Sequence, residues 1–197
     1  MGKILVRIPV DRVERAFVRR SAYQKLVFSL NGLFQNPSIR TGNWDKRTIP
    51  VETHATYRLM AAIVEKDFDP AQCFDDLFLY YHRKGRTKRK ALERAERTIH
   101  SYIREYEGLY TSLKDKGYIH GLAKDEIGVA IDRAGRFVKV PNGNHRFYTA
   151  MLIGIEELIV EVRFVHRRWY RKEAASLGGT CRENIRGALE QNGMALC

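Results

Sequence analysis

The chain has 197 residues, 44% of them hydrophobic, and carries 35 Lys or Arg against 23 Asp or Glu, a formal charge of +12. That length and apolar content suffice for a real core in a soluble globular protein, and the charge favours an anionic partner such as a nucleotide, nucleic acid, acidic sugar or lipid head group. Three widely spaced cysteines without a CxxC pair, Cys73, Cys181 and Cys197, speak against a disulfide framework or zinc site and fit a reducing cytoplasm, and no apolar run approaches a membrane span.

The N-terminus turns charged before a signal-peptide core could form, and Val6 stands where a myristoylation motif needs Ser or Thr. KILVRIPV alternates Ile4, Val6, Ile8 and Val10 with Arg7 and Pro9, the pattern of a short edge strand. Asp11 and Glu14 stand at capping-box spacing and predict a helix from Asp11 to about Asn31-Gly32. NPSIRTGNWDKRTIP is expected to form a loop around a short strand, and TYRLMAAIVEK a helix. Asp69-Pro70 is a strong helix start and Gly85 an equally good stop.

From Thr87 to about Lys114 the apolar residues Leu92, Ala95, Ile99, Tyr102, Ile103, Tyr106, Leu109, Tyr110 and Leu113 recur at three- and four-residue steps, the clearest helical signal in the chain. After Gly117 the period changes. EIGVAID, the Arg133–Arg136 turn and RFVKVP predict a hairpin; HRFYTAMLIGI predicts a helix and ELIVEVRFV a final strand. Residues 171–197 are glycine-rich, with one short helix expected at Arg182 to Gln191.

Chemistry concentrates where the hairpin meets the next helix, at Gly143, Asn144, His145 and Arg146. A strand, this turn and a helix leave the first backbone amides of the helix open to an anion. Gly143 lacks the Cβ that would block a phosphate, Arg146 offers a planar charged fork, and His145 adds a donor that strengthens on protonation. The same residues fit a purely structural turn, with Asn142 or Asn144 capping the helix and Arg146 in water.

LKDKGY followed by IGVAIDRAGRFVKVPNGNHRFYTAMLIGIEELIVEVRFV, within residues 113–165, resembles the core of the ParB/sulfiredoxin-like superfamily. In that core a helix ends in Leu-x-x-x-Gly before a hairpin, a Gly-x-His-Arg or Gly-Glu-Arg-Arg turn, a helix and a strand. The resemblance implies nucleoside triphosphate binding through the turn, with Gly143, His145 and Arg146 as phosphate ligands. Superfamily members include a clamp-forming CTPase, an ATP-dependent sulfinic-acid reductase and a free-serine kinase. Asn144 stands where sulfiredoxin has its catalytic Cys and partition proteins have Glu, and residues 171–197 are too short for a helix-turn-helix domain, so neither of those activities is expected. Gly42-Asn43-Trp44-Asp45 and Val165-His166-Arg167-Arg168-Trp169 are imperfect equivalents of the GDWD and RHxxW segments of an uncharacterised group with this core.

These readings converge on an α/β (α+β) fold in one domain, residues 1–197. It would comprise a helix-rich part (1–112), a small mixed sheet of ParB/sulfiredoxin-like type (113–170) and a short tail (171–197). The expected function is binding of ATP, or another nucleoside triphosphate, with Mg2+, and hydrolysis or transfer of the terminal phosphate to a small-molecule, glycan-precursor or polyanionic acceptor in the cytoplasm. Asp45 is the first candidate for base or magnesium ligand, because an acidic residue of the early loop reaches the phosphates in superfamily kinases; Asp125 and Glu126 come second. Asp45 can equally hold its own turn, with Trp44 packed beside it. His166, Arg167 and Trp169 can serve a bound base or phosphate, or close the core.

A different function class rests on HRKGRTKRKALERAER (82–97), which holds eight Lys or Arg against two Glu. This run fits a nucleic-acid-binding protein or nuclease, although a solvated helix start explains it as well. A nucleotide-sensing module without turnover is the third reading.

Overall fold

The computed structural model describes residues 3–18, 37–121 and 126–197. The remainder of the helix expected to end near Asn31, and the candidate Asp125, lie outside them. The fold is mixed α/β, and the chain divides into two compact units: residues 1–51, 120–143 and 156–197 form one, and residues 52–119 with 144–155 form the other.

The first unit holds the whole sheet. Its strands are β1 (Leu5–Pro9), β2 (Arg15–Phe17), β3 (Ser38–Arg40), β4 (Thr48–Pro50), β5 (Ile127–Ile131), β6 (Phe137–Lys139), β7 (Glu157–His166) and β8 (Ala195–Leu196). They lie in the order β4-β2-β6-β5-β7-β1-β8, with β3 also on β7. Parallel and antiparallel pairs mix: β5 runs parallel to β7 and antiparallel to β6. β1 lies antiparallel along Glu157–Glu161 of β7, while β3 runs parallel along Phe164–His166. Every residue of β5 is buried, as expected of a short apolar strand flanked on both sides.

β1 is not an edge strand. Two residues of the glycine-rich tail, Ala195 and Leu196, pair with Arg7 and Val6 and cover it. The predicted helix at Asp11 is also replaced. Val10–Arg12 makes a single 3-10 turn without a side-chain cap, and Arg15–Phe17 becomes a strand between β4 and β6. Val13, Ala16 and Phe17 have the spacing of a helical apolar face, but their burial is achieved beside two strands distant in sequence, whose backbone groups pair with β2. The expected tail helix forms at Cys181–Gln191 behind a Thr180–Glu183 capping box.

The second unit is helical: α1 (Ala55–Glu65), α2 (Pro70–Arg83), α3 (Lys88–Lys116) and α4 (Asn144–Leu152). Asp69 caps α2 by accepting from the Ala71 amide at 2.9 Å, with Pro70 in the first turn, and Thr87 caps α3. Along α3 the buried stripe is Ala91, Ala95, Ile99, Ile103, Tyr106 and Leu113. Each larger apolar member stabilises by roughly 1.5–3 kcal/mol through its burial. Leu92, expected in that stripe, is instead 42% exposed, because the buried face runs in four-residue steps through Ala91, Ala95 and Ile99, and Leu92 is turned about 100° from Ala91. α3 packs against α2, and α4 packs on both α1 and α3.

Candidate functional site

The GNHR turn divides at the Gly143–Asn144 bond, with Gly143 in the sheet unit and Asn144, His145 and Arg146 in the helical unit. In the sheet unit the loop into the turn is tightly specified. Asn142 and Gly143 both take positive φ, 103° and 65°. A Cβ at Gly143 would lie 2.9 Å from the Ile127 Cα. Glycine is therefore required by backbone conformation and by packing on β5, a stronger demand than clearance for a ligand. Lys139, 1% exposed, donates from Nζ to the carbonyls of Val140 and, at 2.7 Å, Asn142. The Gly128 amide donates to the same Asn142 carbonyl.

In the helical unit Asn144, His145 and Arg146 open α4. The first amides of a helix have no partner within it. Arg146 is half-buried and has no hydrogen bond or ion pair among the described residues. His145 Nε2 lies 3.0 Å from the Tyr102 hydroxyl, with the two rings edge to face at 5.8 Å. Tyr102 in turn lies against Tyr80, whose hydroxyl accepts from Lys84 Nζ. Although the His145 residue is exposed, crowding around its ring, followed by the Lys84 ammonium, holds its pKa below the ordinary imidazole value. Burial raises the Tyr102 pKa and keeps the hydroxyl protonated. Lys84 and Arg146 are thus two cations of this unit for which no carboxylate partner occurs among the described residues.

Back in the sheet unit, Asp45 follows the half-buried Trp44, which packs edge-on against Phe164 at 4.9 Å. Arg133 grips the Asp45 carboxylate through Nε to Oδ2 at 2.5 Å and Nη2 to Oδ1 at 2.7 Å, and also donates to the Asn43 side chain at 2.9 Å. The Asp45 side chain is 4% exposed. Burial would raise its pKa, but the Arg133 hydrogen bonds outweigh it and the pKa is lowered. His166 lies 2.9 Å from the Gly42 carbonyl through Nε2 and accepts the Arg168 amide on Nδ1 at 3.0 Å. Those bonds assign the proton to Nε2. Trp169 is buried, with its indole edge facing Gly135 of the hairpin turn. Glu126 is buried and lies 3.4 Å from His120 Nε2.

Arg133, Lys139, Tyr102 and Lys84 were not singled out from sequence as site residues. A lysine inside the apolar run FVKV, two residues before the Pro141-Asn142-Gly143 loop, is the one signal that could have marked Lys139. For Arg133, one cation of a turn that also holds Arg136, no local signal exists.

Residues 82–90 of the basic run are all exposed, and Arg89 pairs with Glu93 at 3.4 Å across one helical turn. Among the described residues no helix is long and apolar enough to cross a membrane. No protein-family model, no curated protein and no solved structure matches the chain.

Proposed function

We propose that the protein binds the phosphate groups of a nucleotide at the first turn of α4, with the resemblance to the ParB/sulfiredoxin-like core pointing to a nucleoside triphosphate, ATP before CTP. The observation that carries this reading is Arg146, a half-buried arginine on the first turn of a nine-residue helix with no partner among the described residues. Helix amides, a planar cationic fork and the nearby Lys84 ammonium together favour a multiply charged phosphate. His145 would add a hydrogen bond from its imidazole, strengthened when a phosphate favours its protonated form. Gly143, immediately before α4, supports the reading by setting the backbone course into the helix.

Asp45 fits less well as a base or magnesium ligand, because both of its oxygens are engaged by Arg133. Among the described residues no group of three or more His, Cys, Asp or Glu could hold a metal ion. Magnesium would therefore arrive on the phosphates, as it commonly does. For Asp45 to act as a base or magnesium ligand in hydrolysis, or in transfer of the terminal phosphate to a small-molecule or glycan-precursor acceptor, Arg133 would first have to release it.

Calorimetric titration of ATP, ADP, CTP and GTP, with and without magnesium, into the wild type and a folded Arg146→Ala variant tests the proposal. Saturable, base-selective binding lost in the variant is expected, and phosphate release then decides turnover. No binding of any nucleotide to the wild type would overturn the reading.

The exposure of the 82–90 run favours nucleic acid as the second reading. In that case DNA or RNA binding would weaken steeply with salt and depend on Lys88, Arg89 and Lys90.

A further inference from the structure

The sheet unit contains a second concentration of positive charge. Where β7 ends, a cavity of about 290 Å3 is lined by Arg133, His166, Arg167, Arg168 and Arg171 together with the Gly42-Asn43 turn. The walls are preorganised. Arg133 donates to the Gly42 carbonyl at 3.3 Å and the Asn43 side chain at 2.9 Å, while His166 bonds the same Gly42 carbonyl. Asp45 neutralises Arg133 and lies 4.0 Å from His166 Nε2. Arg167, Arg168 and Arg171 have no carboxylate partner among the described residues, so three positive charges share one concave surface.

Like charges gathered in a concavity repel one another and focus the field on whatever enters. Each guanidinium presents paired donors that match the oxygens of a phosphate. Arg171 lies in a π-helical turn, Tyr170–Ala174, and still lines the same cavity as Arg167 and Arg168. Such turns are rare and occur frequently at functional sites.

We infer that this cavity is a binding site for the terminal phosphate, a phosphomonoester dianion, of a small phosphorylated molecule. Its volume lies at the small end of ligand pockets, which run from about 300 Å3 upward, and suits a phosphate with a short attached group. A polynucleotide backbone calls instead for cations strung along an open groove. The inference is independent of the nucleotide reading, because all of its residues lie in the sheet unit.

The test is titration of inorganic phosphate, then of ribose 5-phosphate, into the whole 15N-labelled protein at low salt, following the Nε–Hε signals of arginine side chains. Arg146→Lys, Arg167→Lys, Arg168→Lys and Arg171→Lys assign the relevant peaks. The signals of Arg167, Arg168 and Arg171 are expected to move together along one saturating curve. An Arg168→Ala/Arg171→Ala variant with an unchanged melting profile should bind at least tenfold more weakly. Shifts at Arg146 without shifts at these three would overturn this site while leaving the nucleotide proposal standing. Saturable shifts of the three with a twelve-nucleotide DNA but not with either phosphate probe would also overturn it, in favour of a nucleic-acid surface.

Discussion

Arg133 holds Asp45 by two hydrogen bonds, from Nε to Oδ2 at 2.5 Å and from Nη2 to Oδ1 at 2.7 Å, between residues 88 positions apart in the chain. This pair ties the Gly42–Asp45 turn to the β5–β6 hairpin. Removing the guanidinium takes both of these bonds from the Asp45 carboxylate, so Arg133→Ala is expected to lower the midpoint of urea unfolding relative to the wild type. Coupling should appear as an Asp45→Asn/Arg133→Ala loss well below the sum of the single losses. Additive losses would show that the two side chains do not act as a unit.

The same pair sets a pH dependence. The folded-state pKa of Asp45 lies below its unfolded value, so its contribution is complete above the ordinary carboxylate pKa, about 3.9, and is lost as pH falls through the folded value. Melting temperatures measured from pH 6 to pH 2 should fall on the acid side, and the fall should be shallower in Asp45→Asn. Asp69 and Glu183, whose pKa values are also lowered, should preserve part of the slope.

His145 titrates in the opposite sense to a ligand-bound histidine. With its pKa held down in the free protein, the neutral ring contributes stability above about pH 6.5, and that contribution is lost as pH falls through the folded pKa. A phosphate at the first turn of α4 should reverse the shift by favouring imidazolium. Histidine NMR titration with and without saturating ATP is expected to show the pKa rising; no change on saturation would argue that the phosphates bind elsewhere.

Gly143 is a strict requirement. Gly143→Ala places a Cβ against the Ile127 backbone in a left-handed conformation and is expected to cost about 2–4 kcal/mol, read by chemical denaturation. A loss below about 0.5 kcal/mol would mean that the loop has another conformation.

Lys139→Met should retain the fold but loosen the loop, because the Val140 and Asn142 carbonyls lose a charged donor. A destabilisation of about 1–3 kcal/mol is expected. Hydrogen exchange at the amides of Gly128 and Val140, which pair across this part of the loop, should accelerate. Unchanged exchange would assign the stiffness of the loop to its backbone alone.

What the sequence by itself determined is local. Asp69-Pro70 and Thr87 mark helix starts because a cap bonds amides only two or three residues away. The alternation in EIGVAID and RFVKVP, with a turn between them, likewise brings the hairpin together over a few positions. Gly143, Asn144, His145 and Arg146 could be placed at a helix start for the same reason, although nothing local assigns them a ligand.

Only the tertiary structure decided that Val13, Ala16 and Phe17 bury themselves around a strand, since their spacing suits a helix equally well until β4 and β6 supply partners for the backbone of β2. It also decided that Ala195 and Leu196 cover β1, and that Asp45 meets Arg133 while Arg167, Arg168 and Arg171 share a cavity that no carboxylate lines among the described residues. Ion pairing depends on which charges desolvation and strand register bring together, and over tens of residues that information is absent from spacing or periodicity.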